Sequence, residues 1–397
     1  MTEPPLIYLI AGEPSGDAIG GKLMAALREG TGGAVRFAGI GGEAMAAQGL
    51  TSPVALHELA IMGIAEVLPR ALTIIRHAKA AAAEIRRLRP AAVVTIDSSG
   101  FTWRVAQRLR EGGEKELPLI HYVAPMVWAW RGGRARRMAR WYDHLMTLLP
   151  FEPPYFAKVG LAATYVGHPV IESGADRGDG PGFRRRFGIS PHAKVLAVLP
   201  GSRRGEVRKL LAPFGGAVER LAARHPGLVV VMPTTETVAE MVTEGTRGWP
   251  APVHVLRGER DKYDAFAAAE AAIAASGTVA LELALAQVPA IVAYRVAPST
   301  VWFLRTFGKI DYAHMVNIML RREAVPELMQ KDCNPERLAA EIERLWADPA
   351  LPAAQAAACR EVLLQLGLGE LRPSRRAAEV VLDIIARRQP APSLTAA

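Results

Sequence analysis

Short, unbroken apolar runs recur along this chain and alternate with longer stretches of helical periodicity. In the first half the runs fall at 6–11, 35–38, 92–96, 119–123, 145–148 and 164–166, with helical stretches at 17–29, 42–48, 70–88, 101–111 and 131–140. Apolar strands without polar alternation belong to sheets covered on both faces, and connections of βαβ length make such sheets parallel. The second half repeats the arrangement, with strands predicted at 195–199, 228–232, 253–256, 271–275 and 290–294 and helices between them. Helical patterns at 335–347, 350–366 and 374–388 follow, then a tail rich in Pro, Ala and Ser. The predicted fold class is α/β, two tandem doubly wound, Rossmann-like domains at 1–172 and 183–372. A Gly/Pro/charge-rich linker at 173–182 separates them, and a terminal helix (373–389) and a disordered tail (390–397) complete the chain. Ligands of open α/β sheets bind beyond the carboxyl ends of the strands, so two such domains are expected to face a cleft.

Composition narrows the class. A chain of 397 residues, half of them hydrophobic, is globular and exceeds one comfortable core. No apolar run reaches the roughly 18 residues of a membrane span, and residues 6–11, preceded by Glu3 and two prolines, do not form a secretory signal. Cys333 and Cys359 match neither metal spacing nor a disulfide framework, so a cytosolic location is the default expectation. The formal charge of +9 suits nucleic acid, an anionic membrane surface or phosphorylated substrates. Its densest basic cluster, Arg131, Arg134, Arg136, Arg137 and Arg140, is flanked by Trp128, Trp130 and Trp141, but no nucleic-acid-binding motif accompanies it.

The sharpest chemical signal is a pair of strand-to-helix junctions in the second half. One reads Pro200-Gly201-Ser202-Arg203 after a buried-type strand; the other reads Ser276-Gly277-Thr278, with Glu282 one helical turn on. Unpaired N–H groups at a helix start, and the positive end of its dipole, favour phosphate. Arg203 adds a planar charged fork suited to phosphate oxygens, and Glu282 is placed to accept from sugar hydroxyls. A nucleoside diphosphate is the expected guest. In the first half, Asp97 ends the 92–96 strand and precedes Ser98, Ser99 and Gly100. A carboxylate at that edge is a candidate general base, and the competing role is an N-cap for the following helix, which Ser98 or Ser99 also suits.

Other motifs weigh less. Gly16, Gly21 and Lys22 match most of a P-loop, but Leu23 replaces the hydroxyl residue and the lysine falls inside a helix, which excludes an ATPase. Gly39, Gly41 and Ala44 mimic a dinucleotide fingerprint. A lone GxGxxA is weak, and this turn and the Gly12–Asp17 loop read equally as tight βα turns lining the cleft or as substrate contacts. His121 and His168 are lone histidines of a kind more often structural than catalytic. Asn317 is a candidate polar contact in the cleft. The apolar 59–72 stretch, including Ile61, Met62, Val67, Leu68 and Leu72, suits a core, acyl chains or a bilayer, with Trp128, Arg131 and Arg134 nearby for lipid phosphates. No Asp-x-Asp and no metal-spaced cluster occurs, so neither a metal nor a cofactor is expected.

Taken together, AGEPSGD (11–17), LAIMGIAEVL (59–68), IHYVAPMVWAWR (120–131), LPGSRRGEV (199–207), ASGTVALE (275–282) and KIDYAHMVNIML (309–320) resemble the lipid-A-disaccharide synthases. The resemblance spans residue 6 to about 385. It implies a GT-B-type glycosyltransferase that joins UDP-2,3-diacylglucosamine to 2,3-diacylglucosamine 1-phosphate. The products are UDP and a β-1,6-linked disaccharide 1-phosphate, made at the inner face of the inner membrane of Gram-negative bacteria. By the same resemblance Asp97 is the catalytic aspartate, and Gly201, Ser202, Arg203, Ser276, Gly277, Thr278 and Glu282 belong to the UDP segment. Glu13, Ser15, Gly16 and Asp17 lie on the acceptor side, and Asn317 lies in the cleft. Many members carry Asp-x-Pro-Asp-Phe at the catalytic turn, where this chain has Ser99 and Gly100 before Phe101. A UDP-sugar epimerase on the same fold and a non-catalytic lipid- or nucleotide-binding relative remain the alternatives. Peripheral contact with an anionic membrane is expected, a homo-oligomer is possible, and nucleic acid is not expected as a partner.

Overall fold

A computed structural model describes residues 3–59, 67–129, 133–296 and 311–388. The chain divides into two compact units, Met1–Pro169 with Gly369–Ala397, and Val170–Leu368.

In the first unit β1 (Leu6–Ala11), β2 (Arg36–Ile40), β3 (Ala92–Ile96), β4 (Leu119–Tyr122), β5 (His144–Thr147) and β6 (Ala162–Tyr165) form a parallel sheet in the order β2-β1-β3-β4-β5-β6. Its helices are α1 (Pro14–Gly30), α2 (Glu43–Ala46), α3 (Leu56–Leu59), α4 (Val67–Leu88), α5 (Ser99–Glu111), α6 (Gly133–Met138) and α7 (Pro153–Ala157). Successive strand residues point to opposite faces. Tyr8, Ile10 and Val93 accordingly join Ile74, Ile85, Val105 and Leu109 of α4 and α5 in one core. Ile7, Leu9, Val94 and Ile96 join Leu23, Met24 and Leu27 of α1 in another. Two buried faces are why these strands read as continuous apolar runs.

The second unit repeats the plan with β7 (Val195–Leu199), β8 (Val229–Pro233), β9 (Val253–Leu256), β10 (Ala271–Ala274), β11 (Ala290–Tyr294) and β12 (Glu327–Met329), ordered β12-β11-β10-β7-β8-β9. Its helices are α8 (Gly180–Arg186), α9 (Arg204–Arg224), α10 (Glu236–Gly245), α11 (Glu259–Ala268), α12 (Thr278–Leu285), α13 (Met315–Leu320), α14 (Pro335–Ala347) and α15 (Ala350–Gln365). Neither β12 nor α13 was expected: each is short, and α13 is set by side-chain bonds described below. Strand order reverses between β1 and β3 in the first sheet and between β7 and β10 in the second. Those switch points are where open α/β sheets leave a ligand crevice.

The 173–182 stretch is not a free linker. It forms a 3-10 turn (Ala175–Arg177) and the start of α8, and the Asp179 N–H donates to Asp264 Oδ1 at 2.7 Å. Gly178 and Gly180 run so close to the Tyr263 and Ala267 carbonyls that any side chain would collide. The glycines that suggested flexibility serve close packing. The last helix, α16 (Pro373–Arg388), joins the first unit. Its Ala377, Ala378, Val381 and Ile385 pack into the α1 core, Arg376 Nε donates to the Val166 carbonyl at 3.1 Å, and Arg372 pairs with Glu29.

Candidate active site

Asp97 leaves the crest of β3 at the first switch point. Its N–H continues the sheet ladder to the Tyr122 carbonyl at 2.9 Å, after which the backbone turns left-handed at Asp97 (φ 48°) and Ser98 (φ 44°). Gly12, at the end of β1, must be glycine here, because a Cβ would strike the Ser98 hydroxyl. Ser98 takes the N-cap position of α5 without a side-chain capping bond. The half-buried Asp97 carboxylate is held above the ordinary carboxylate range by burial, offset in part by the Ser98 N–H. Raised carboxylates in clefts suit proton abstraction.

The adjoining loop is less uniform than expected. Glu13 is half-buried before α1, Ser15 is exposed in its first turn, and Gly16 lets α1 pass the Ile96 carbonyl. Asp17 departs from its expected acceptor-side role. Its buried carboxylate accepts from the N–H groups of Gly42 (2.7 Å), Ala44 (2.9 Å) and Met45 (3.1 Å). Three backbone bonds to one carboxylate make it the cap of α2. The same bonds dispose of the fingerprint at 39–44: the anion at that helix start is the protein's own. Gly21 and Lys22 lie within α1, and Gly21 serves close contact with the Ala44 carbonyl.

At the second switch point Arg203 stands at the N-cap of α9, with its side chain 71% exposed and one guanidinium nitrogen 3.1 Å from Glu206 Oε1. Glu206 also accepts from the Tyr294 hydroxyl at 2.9 Å. Gly201 (φ 108°) lies against the Glu206 side chain, so the turn needs glycine for conformation and for space. Ser202 is exposed beside it. An exposed ion pair is weak, which leaves Arg203 able to exchange Glu206 for a phosphate. Across the switch point, Gly277 is the N-cap of α12 with no described atom within 4 Å of its Cβ direction, Thr278 is exposed, and the Ser276 hydroxyl donates to the Ala313 carbonyl at 2.9 Å. Glu282 is engaged by Lys262 Nζ (2.9 Å) and the Tyr263 hydroxyl (3.1 Å). The sequence reasoning missed these partners. Lys262 and Tyr263 come from a different helix and carry no local signal, whereas Glu206 sits three residues after Arg203, a spacing from which its carboxylate accepts from both the Arg203 N–H and its guanidinium.

Asn317 is a correction. It is fully buried, and its amide nitrogen donates to the Val325 carbonyl (2.7 Å) and Glu327 Oε1 (2.8 Å). Its oxygen accepts from the N–H groups of Ala324 (2.8 Å) and Val325 (2.9 Å). Two donors and two acceptor positions are thereby used, and none is left for a ligand. Glu327 further accepts from the Ala313 and His314 N–H groups at 2.8 Å, and His314 caps α13. Together these bonds fasten residues 313–327 behind the Ser276 turn.

Of the membrane-facing candidates, Leu72 is 77% exposed on α4. Trp128 is instead buried: it stacks edge-on against Phe151 at 5.2 Å and donates to Glu152 Oε1 at 3.2 Å. Arg134 lies over the Trp103 ring at 5.7 Å. Ile61, Met62 and Arg131 fall outside the described residues, as do the side chains of Val67 and Leu68. His121 is buried, and burial lowers its pKa to about 3; His168 is lowered to about 4 by the same cause. Both are neutral at ordinary pH.

Two doubly wound sheets, each with its polar loops at a switch point, define a GT-B-type enzyme fold. Solved structures agree on the fold. The UDP-GlcNAc 2-epimerase of Neisseria meningitidis bound to UDP-GlcNAc matches with a TM-score of 0.64 at 12% identity, covering 96% of this chain and 99% of that one. MurG of Acinetobacter baumannii matches with a TM-score of 0.58 at 15% identity, covering 96% and 100%. Sequence carries the assignment further. The LpxB family model, lipid-A-disaccharide synthetase, matches residues 7–381. The lipid-A-disaccharide synthase of Rhodospirillum centenum is 56% identical over 97% of this chain and 96% of its own length. That of Paramagnetospirillum magneticum is 53% identical over 96% and 97%. The chain belongs to the lipid-A-disaccharide synthase family and is a glycosyltransferase; the epimerase alternative is not favoured.

Proposed function

We propose that this enzyme transfers a diacylglucosamine from UDP-2,3-diacylglucosamine to 2,3-diacylglucosamine 1-phosphate, with inversion. Asp97 takes the proton of the acceptor 6-hydroxyl as that oxygen bonds the anomeric carbon and the carbon–oxygen bond to UDP breaks. The observation that carries this role is a half-buried carboxylate, raised by burial, at the carboxyl end of a central strand. Arg203 and the α12 N-terminus, with Gly201 and Ser202 forming the turn and Ser276 to Thr278 the helix entry, meet the charge that develops on the departing diphosphate. Glu282, steadied by Lys262 and Tyr263, accepts from the ribose. Glu13 and Ser15 address the acceptor. Holding both sugars in register supplies up to ~7–11 kcal/mol of the barrier reduction.

Contact with the cytoplasmic face of an anionic membrane accompanies this role. Leu72 and Ile75 are exposed on one side of α4, and Arg76 and Lys79 are exposed beyond them. No helix among the described residues is long and apolar enough to cross a membrane. Mass detection of a disaccharide 1-phosphate from donor plus acceptor, with no conversion of donor alone, tests the reaction. Asp97→Asn is expected to abolish turnover while leaving UDP affinity by calorimetry near wild type. Full turnover in that variant removes Asp97 from the mechanism.

A further inference from the structure

Beneath the Asp97 turn, four buried side chains from β3, β4, α5 and the approach to β5 join into one hydrogen-bonded line. Thr102 Oγ1 lies 2.9 Å from the Asp97 carbonyl and 3.0 Å from the Ser98 carbonyl, placed to donate to either. The Tyr142 hydroxyl bonds Thr102 and lies 3.1 Å from Thr95 Oγ1. Thr95 Oγ1 is in turn 2.7 Å from His121 Nδ1, and the His121 ring is bonded to the Val123 backbone. Thr95, Thr102, His121 and Tyr142 are each almost fully buried. A neutral imidazole has one donor and one acceptor nitrogen, so His121 bridges Thr95 and Val123 without adding charge.

Both ends of this line meet backbone that side chains rarely adopt. Asp97 and Ser98 have φ of 48° and 44°, and Val123, a β-branched residue, has φ of 80°. Conformations of that kind persist only where their surroundings impose them. On the other side of the turn, no described atom lies within 4 Å of the Gly100 Cβ direction.

We propose that Thr102, backed by Tyr142, Thr95 and His121, is a positioning residue for glycosyl transfer. The Ser98 carbonyl already accepts from the Phe101 and Thr102 N–H groups, so the Thr102 hydroxyl, by donating to the Asp97 carbonyl, fixes the left-handed turn from which the Asp97 carboxylate is aimed. The proposal rests on Asp97 being the base. Relaxing the turn toward an ordinary backbone conformation swings the carboxylate away from the acceptor hydroxyl without touching either substrate's binding groups. The loss therefore falls on turnover and not on affinity.

The test uses the full chain with both lipid substrates. Thr102→Val keeps the shape and removes the hydroxyl; its kcat is expected to fall about 10–100-fold, the scale of a misplacement near 1 Å, with KM for both substrates within about twofold of wild type. Thr102→Ser restores the hydroxyl and is expected to recover kcat to within about threefold. Wild-type kcat in Thr102→Val, or a serine variant as slow as the valine variant, overturns the proposal. Should Thr102→Val lack a cooperative melt, Tyr142→Phe removes the next hydroxyl in the line. A kcat loss with unchanged KM is then expected, and wild-type kcat overturns it. Asp97→Asn is assayed alongside. An active asparagine variant defeats the base assignment itself, whereas an inactive one beside a fully active Thr102→Val defeats only the positioning role.

Discussion

Arg203 follows β7 and Asn317 lies on α13 ahead of β12, and their hydrogen bonds divide their duties. Arg203 is mostly exposed and loosely paired with Glu206, so it is free to move onto a ligand. Arg203→Ala is expected to weaken UDP binding about 10–100-fold by calorimetry, the worth of one charge-assisted contact, while stability changes by less than about 0.5 kcal/mol. Unchanged affinity contradicts the assignment. Asn317 is the reverse case. Its removal leaves two backbone N–H groups, the Val325 carbonyl and Glu327 short of partners in a buried site. Asn317→Ala is expected to cost about 2–5 kcal/mol in urea denaturation, and loss of UDP affinity at full stability contradicts this. In the sequence both residues read as polar groups near the ligand. Only the accounting of donors and acceptors separates them, and that depends on residues 324–327 folding back, which no local pattern announces.

Elements whose apolar pattern is set by burial on two faces were legible in the sequence: β1, β3, β7 and β10 begin and end within a residue of where the runs do. Elements fixed by a single polar side chain were not. Helix α2 owes its start to Asp17, twenty-five residues earlier, and α13 is held by Glu327 from the strand that follows it. The loop before α6 is another such case, because Trp128 is drawn inward by Glu152 at the N-cap of α7. Glu152 is buried, and desolvation pushes its pKa from 4.5 up to about 7 despite bonds from the Leu149 N–H and Trp128. A raised carboxyl favours the fold when protonated, so its contribution is full below pH 4.5 and is lost as pH rises through about 7. Glu152→Gln does not titrate. Relative to wild type, that variant is expected to gain about 3 kcal/mol between pH 4.5 and 8 in urea denaturation. A pH-independent difference between the two proteins contradicts the shift.

At the scale of the molecule, two parallel sheets were readable from the repeated alternation, all six strands of the first and five of the second, and so was the division near residue 170; the return of the last helix to the first unit was not. The stretch that reads as a tether at 173–182 is compact because its glycines allow backbone contact with α11. The sequence leaves open whether the final helix packs back on the first domain or on another subunit; it is a wall of the first unit. Its apolar face, Ala377, Val381 and Ile385, covers Leu23, Met24 and Leu27 of α1, and Arg388 reaches Asp143. Ending the chain after residue 372 is therefore expected to leave a protein that aggregates at modest concentration, and Ile385→Asp to lower the melting temperature by several degrees. A monomeric truncated protein with wild-type melting contradicts this.

The same helix has a consequence for how the enzyme is made. On the ribosome, α1 emerges before the whole of the second unit and its cover after it. Throughout the synthesis of the second unit, the growing chain carries an uncovered greasy stripe that only late translation can seal. Chaperone engagement and premature stop codons are consequently felt most by the part of the protein translated first.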